Sequence, residues 1–388
     1  MRTTKMYDPR LNEKKTDYDW PLHVATLGLM VIGTAFIFSA TARQISGSAA
    51  WYQEDWVRQM IWYALGLAAA VAFCAVEYGR VARWAAVYYW ASILVLVALF
   101  AIGTMHHGGK RWINVGIFSL QPSEFAKIAF ILWLGSVLSR PQEELRMARV
   151  FFGVVGYTLL PFVLILKEPD LGSALVFLAI SLAMMFVAGV PKRMLAGLVG
   201  GMGLLAVLVV AAILFLPAKF KIVEPYQKNR VLTYFGRDKS RGGSGYNVEQ
   251  ALISVGSGGL TGKGWGRGTQ HSLGFLPREG AHNDFIFSVI AEEEGFVGSV
   301  VVLTLYTVLL FSGIKIAGQA RDRLGQLLAV GVVTLLFCHV FINIGMNIRL
   351  MPVTGIPLPL LSYGGSSVVC SLIAIGILHN VHIYRRSY

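Results

Sequence analysis

The chain has 388 residues, of which 55% are hydrophobic and only 14% charged, and its mean hydropathy is +0.60. A soluble protein of this size carries far more polar surface, so the composition points to an integral membrane protein. A formal net charge of +13 would suit a nucleic-acid partner, but its placement along the chain argues for a different use. Cys74, Cys338 and Cys370 lie in apolar runs at spacings that match no metal motif, and read as packing residues.

The first twenty residues (MRTTKMYDPRLNEKKTDYDW) are polar and of mixed charge, with no apolar core or small-residue cleavage site. A cleaved signal peptide is therefore not expected, and the first span acts as its own anchor. Apolar runs of about 17 to 25 residues, each long enough to cross a bilayer, start near Pro21, Val57, Ala85, Pro122, Val150, Leu171, Leu195, Phe285, Gln326 and Ser366. They predict an all-α integral membrane fold: ten transmembrane helices in one polytopic domain over residues 1–388. Short loops on one side collect Arg80, Arg83, Arg140, Arg146, Arg149, Lys192, Arg193, Lys315, Arg321 and Arg323, with Lys14 and Lys15 before the first span and Arg385 and Arg386 after the last. Short loops on the other side hold chiefly Arg43, Lys110, Arg111, Lys167 and Arg349. This bias places both termini, including the 1–20 tail, in the cytoplasm. The basic excess is then a topology signal, and nucleic acid drops out as a partner.

One connection is long: residues 217–284, between spans seven and eight, expected on the extracytoplasmic side. Its stretch NVEQALISV reads as an interfacial amphipathic helix followed by glycine-rich turns. The segment GSGGLTGKGWGRGTQ superficially resembles a phosphate cradle but fails the P-loop spacing, since no Ser or Thr follows Gly262 and Lys263. Two readings stand: a loop tied to the headgroup region, or backbone N–H groups with Lys263 or Arg267 near a lipid-linked pyrophosphate. The chain shows no strand-rich module and no internal repeat.

Four further constellations carry charge near span ends. QPSEFAKI opens the fourth span with Glu124 and Lys127 on one helix face; buried charges of this kind pair structurally or line a wet cleft. In KEPDLGSAL, Asp170 precedes the sixth span where Asp is a good N-cap for the turn containing Ser173. PYQKNRVLTYF sets Lys228 and Arg230 beside Tyr226 and Tyr234, and an arginine offers the planar, bidentate grip on phosphate that lysine cannot. GGKRWINVG sets Arg111 beside Trp112.

AHNDFIFSVIAEEEGF, residues 281–296, puts Asp284 at the mouth of an apolar run and Glu292, Glu293 and Glu294 within it. A straight helix from Phe285 to Ile314 would be about 45 Å long, overshooting a hydrocarbon core of about 30 Å. The three glutamates would then lie about 12 Å below Asp284 and face the protein interior or water. Successive residues turn about 100°, so one direction cannot serve all three. For Asp284 two readings stand: Asn283 or Asp284 caps the helix, or Asp284 is a base that takes a proton from a hydroxyl nucleophile.

KEPDLGSALV, GSGGLTGKGWGRGTQHSLGFLPREGAHNDFIFSVIAEEEGFVG and NIGMNIRLMPVTGIPLPLLSYGGSS together resemble the SEDS family (shape, elongation, division and sporulation) over essentially the whole chain. DWPL at residues 19–22 and GKGWGRGTQ resemble its elongation members more than its division members. The resemblance implies a peptidoglycan glycosyltransferase that polymerises lipid II at the outer face of the bacterial cytoplasmic membrane. It also implies a single-pass class B penicillin-binding protein as partner, alongside other membrane proteins of the elongation complex. Carried over by motif, the essential aspartate falls on Asp284, the PSEFAK pair on Glu124 and Lys127, the PDLG aspartate on Asp170, and the loop arginine on Arg230; Arg111 is added from its setting. Two positions depart from the family pattern: Glu294, where Leu is usual, and Arg349, where a small residue is common.

Glycan strands are β-linked and lipid II carries an α-linked sugar pyrophosphate, so the implied chemistry inverts and needs a base but no covalent glycosyl-enzyme. Asp284 is the expected base for the acceptor GlcNAc 4-hydroxyl, with Arg230, Lys127 and Arg111 on the departing undecaprenyl pyrophosphate. A divalent cation, magnesium or manganese, bridging that pyrophosphate to a carboxylate is compatible with the chemistry, although no ligand set is legible. The rival reading is a lipid II flippase, which would need access from both membrane faces.

Overall fold

The computed structural model describes residues 18–42, 54–106, 109–114, 119–215, 225–234, 244–276 and 278–385. Most of the amino-terminal tail, Arg43, Arg386 and parts of the long loop lie outside the described residues.

The helices in order are α1 (Trp20–Ala42), α2 (Asp55–Ala75), α3 (Tyr78–Ala82), α4 (Ala85–Ile102), α5 (Pro122–Leu138), α6 (Gln142–Leu145), α7 (Ala148–Lys167) and α8 (Leu171–Val187). They continue as α9 (Lys192–Phe215), α10 (Pro225–Tyr234), α11 (Ser244–Ser257), α12 (Thr269–Ser272), α13 (Arg278–Ala281), α14 (Ile286–Gly318), α15 (Arg323–Asn347) and α16 (Gly365–Ile383). Eight of them are long and apolar enough to cross a membrane. α5 and α8, also expected as spans, are apolar helices of 17 residues each. This is a multi-pass membrane protein, and helices are its currency because lipid offers no partner to an open backbone.

Between α4 and α5 the chain forms a small antiparallel sheet in the order β1 (Thr104–His106), β2 (Gly109–Asn114), β3 (Ser119–Leu120). The sequence reading had no strands here. They are short, and they lift Arg111 onto β2.

α15 is the central helix, touching α5, α8, α14 and α16, and 67% of its apolar window is buried against 0% for α9. Small residues set the closest approaches: a Cβ on Gly66 would fall 2.5 Å from Leu372 Cδ1, and one on Gly376 would fall 2.9 Å from Ala70 Cα, so α2 and α16 meet nearly backbone to backbone.

α14 is not the straight rod expected. It breaks at Gly295, whose φ of 67° and ψ of −155° are non-helical. The glycine-rich loop fills the break: the N–H groups of Phe296 and Val297 donate to the carbonyls of Gly259 and Leu260 at 2.9 and 3.1 Å, while those of Lys263 and Gly264 donate to the carbonyls of Glu292 and Glu293 at 3.0 and 2.8 Å. A side chain at Gly262 would fall 2.0 Å from the Glu293 carbonyl oxygen, so only glycine fits. The segment before the break is held at one end of the bundle: Ser288 bonds Asn347 near the end of α15, and Glu293 bonds Ser39 near the end of α1. Glu292 and Glu293 therefore lie in the helical segment that precedes the break, against the glycine-rich loop and the end of α1, and the straight rod from Phe285 to Ile314 is replaced by two helical segments.

Candidate functional site

Asp284 sits in the turn just before α14. The N-cap position falls to Phe285, which makes no side-chain cap bond. The Asp284 carbonyl accepts from Asn343 Nδ2 at 2.9 Å and Asn347 Nδ2 at 3.1 Å. Both amides lie on one stripe of α15, four residues apart.

Across from it runs the segment after α15. Arg230, on α10, is 8% exposed and donates from Nη1 to the Thr354 carbonyl at 2.9 Å. The next residue, Gly355, has a φ of 72°, and a Cβ there would lie 3.3 Å from Asp284 Oδ2 and 3.9 Å from Arg230 Nη2. Carboxylate and guanidinium thus both come within 4 Å of the point where a Gly355 side chain would begin. Burial first, then the neighbouring Arg111, bring the Arg230 guanidinium down to about 10, against the opposing pull of Asp170 and Asp284; it stays cationic at neutral pH.

Arg111 reaches from β2 to the turn between α7 and α8, donating from Nε to the Glu168 carbonyl at 2.7 Å and from Nη2 to the Pro169 carbonyl. Asp170 Oδ1 accepts from the Ser173 N–H at 3.0 Å, so the expected cap is present, and its charge acts on Arg230 as well. Glu168, which sequence reasoning passed over, is buried with Oε1 lacking a hydrogen-bond partner. Burial, reinforced by the Asp170 charge and opposed by Arg111, pushes its carboxyl up to about 8. Its signal in the sequence was only its place beside the PDLG motif.

Glu124 and Lys127 form a 2.6 Å pair on α5 with side chains 4% and 1% exposed. Lys127 Nζ also lies 2.8 Å from His339 Nε2, and His339 Nδ1 lies 3.3 Å from the Pro357 carbonyl. A carbonyl only accepts, so Nδ1 carries the ring proton and the bare Nε2 accepts from the ammonium. Asp170 is within electrostatic reach of both Arg230 and His339. The structure thus gathers Asp284, Arg230, Arg111 and Asp170, and sets Glu124 and Lys127 in a buried layer joined to them through the segment after α15.

Glu292 and Glu293 have a different use. Glu292 Oε1 accepts from Lys263 Nζ at 2.6 Å, the Thr269 N–H at 2.7 Å and the Gln270 N–H at 3.1 Å. Glu293 takes Ser39 Oγ at 2.7 Å and the N–H groups of Gly266 and Gly268 at 3.0 and 3.3 Å. Of the loop donors that resembled a phosphate cradle, Lys263 Nζ and the N–H groups of Gly266, Gly268, Thr269 and Gln270 serve these two carboxylates. Glu294 is half-buried and Arg349, with a left-handed φ of 58°, is exposed; no ion pair among the described residues joins them.

Among the described residues no group of three or more His, Cys, Asp or Glu is arranged to hold a metal ion. Around Asp284 the carboxylates of Asp170 and Glu168 are interleaved with Arg230 and Arg111 and are not grouped as a ligand set for a divalent ion.

A family model described as "Cell cycle protein" (FtsW, RodA, SpoVE) matches residues 21–387. The peptidoglycan glycosyltransferase MrdB of Escherichia coli K12 is 35% identical over 373 residues, covering 96% of this chain and 95% of that one. Stage V sporulation protein E of Bacillus subtilis is 36% identical over 388 residues, covering 97% and 100%. Among solved structures, a chain of a peptidoglycan synthase complex that coordinates polymerisation and crosslinking superposes with a TM-score of 0.79 at 30% identity, covering 96% of this chain and 100% of that one. The Thermus thermophilus rod shape determining protein RodA superposes with a TM-score of 0.69 at 29% identity, covering 96% and 99%. Matched from its first span to its last by sequence and by fold, this chain belongs to the FtsW/RodA/SpoVE family, the SEDS proteins.

Proposed function

We propose that the protein is a peptidoglycan glycosyltransferase of the elongation type that polymerises lipid II at the outer face of the bacterial cytoplasmic membrane. The observation that carries the mechanism is the approach of Asp284 and the buried Arg230 to the same glycine, Gly355, each within 4 Å of where its side chain would begin. Asp284 accepts the proton of the acceptor GlcNAc 4-hydroxyl as its oxygen bonds to the anomeric carbon of the donor sugar. The bond from that carbon to the pyrophosphate breaks on the opposite face, inverting the centre, and undecaprenyl pyrophosphate departs with its charge held by Arg230 and Arg111. Lys127, fully buried beside Glu124 and His339, supports the segment containing Pro357 in this reading instead of touching phosphate directly. Asp170 orients the arginines by its charge. A magnesium or manganese ion would be held by the substrate pyrophosphate and would supply charge neutralisation there.

The reading includes a single domain of ten spans with both termini cytoplasmic and residues 217–284 outside. The partner is a class B penicillin-binding protein, whose transpeptidase would crosslink the strands made here, within a larger elongation complex. The polar groups of the site gather at one end of the bundle, which favours polymerisation over transport across it. Incubating the purified protein with lipid II, alone and with the class B partner, tests the proposal. Glycan strands are expected in at least the second case; their absence in both overturns it.

A further inference from the structure

Asn343 makes a connection that no other side chain in the site makes through its own amide. Its Nδ2 donates at 2.9 Å to the Asp284 carbonyl, on the segment with the proposed base, and at 2.8 Å to the Ile356 carbonyl, on the segment that holds Arg230 through Thr354. It is fully buried, on α15, which packs against α5, α8, α14 and α16. Asn347, one turn on, donates at 3.1 Å to the same Asp284 carbonyl and at 2.8 Å to the Asn343 carbonyl, while its Oδ1 accepts from Ser288 at 2.6 Å. His339, one turn back, reaches Pro357. His339, Asn343 and Asn347 thus form one polar stripe on α15, with two segments of distant sequence hung from it and the active space between them.

We infer that Asn343 is a positioning residue that sets the separation of Asp284 from Arg230, by holding the two segments that carry them to one amide on a rigid helix. The inference rests on the reading of Asp284 as the base. Two carbonyls bonded to the two protons of one NH₂ cannot drift apart without losing a bond, and each is a buried acceptor with reason to stay paired. Asn347 alone would fix the Asp284 turn but makes no bond to the Ile356 carbonyl, so it would not tie the two segments to each other. A displacement of about 1 Å at a reacting centre costs about 100-fold in rate, so an amide that governs this separation acts on turnover more than on substrate binding.

The test is a double-mutant cycle in lipid II polymerisation, using the full chain with its class B partner, over Asn343→Leu, Asp284→Asn and the pair. Asn343→Leu is expected to lower kcat by about 10-fold or more with KM for lipid II within about twofold of wild type. In the Asp284→Asn background the same change should have almost no further effect, because there is no base left to position. Equal losses in both backgrounds, or a kcat that falls only with the folded fraction, overturn the inference and leave the base reading intact. Full activity of Asp284→Asn alone overturns the base reading and this inference with it. If Asn343→Leu fails to fold, Asn343→Gln, which keeps the amide but moves it by one methylene, is judged in the same cycle by the same criterion.

Discussion

Ser39 Oγ lies 2.7 Å from both carboxylate oxygens of Glu293, joining the end of α1 to the break in α14 across 254 residues of sequence. With Gly266 and Gly268 donating to the same carboxylate, Glu293 is the pin of a latch that seats the glycine-rich loop. Glu293→Ala strands the buried donors Ser39 and Gly268 and should destabilise the protein by about 2 kcal/mol. Hydrogen exchange should rise over residues 258–271 before it rises in α15. Unchanged protection of the loop would show that its glycine turns hold without the latch.

Asp284→Asn separates base from cap. Asn caps about as well as Asp, whereas an amide cannot take the proton. We expect a folded protein that still co-purifies with the class B partner and whose polymerisation falls by about 10² or more. Substantial strand formation by this variant would sink the base assignment.

Gly355→Ala tests the space between Asp284 and Arg230. A φ of 72° strains any other residue, by about 1–2 kcal/mol, and the new methyl would stand 3.3 Å from Asp284 Oδ2. The variant is expected to fold with a modestly lowered Tm and to lose polymerisation by far more than its stability loss explains. Activity in proportion to folded protein would show that the substrate does not use this space.

For the buried pair of Glu124 and Lys127, removing one partner leaves a stranded charge. Lys127→Met should cost about 3–5 kcal/mol and also frees His339 Nε2. The double change Glu124→Leu with Lys127→Met removes both charges and should recover most of the Tm. If the double variant folds and polymerises normally, the pair is purely structural; we expect it to fold and polymerise poorly, because the support of Pro357 through His339 is gone.

Glu168 gives a pH signature. Its carboxyl is raised to about 8 in the folded protein, above the ordinary value of about 4.3, so the native state holds a proton that the unfolded chain releases. Its contribution is fully present below about pH 4 and is lost progressively as pH rises towards 8. Glu168→Gln mimics the protonated form. It should raise Tm by about 2–4 °C near pH 8 and by much less near pH 5. An equal shift at both values would show that burial does not hold this carboxyl neutral.

By itself the sequence determined the membrane class, the helical starts to within a few residues, and the family, because each of these is written locally. An apolar run must satisfy its own backbone in lipid, and motifs such as KEPDLG and AHNDFIF are contiguous. It also marked Asp284, Arg230, Arg111 and Asp170, which the fold brings into one neighbourhood. Only the tertiary structure decided what those residues meet. The break at Gly295 depends on a loop more than thirty residues earlier taking the hydrogen bonds the helix gives up. Lys127 finds His339 across 212 residues, and Asn343 finds Asp284 across 59. Such partners are chosen by which helices pack together, and hydropathy, which sums residues along one chain segment, carries no record of that choice. A glutamate in an apolar run therefore announces that it needs donors, and the fold names them.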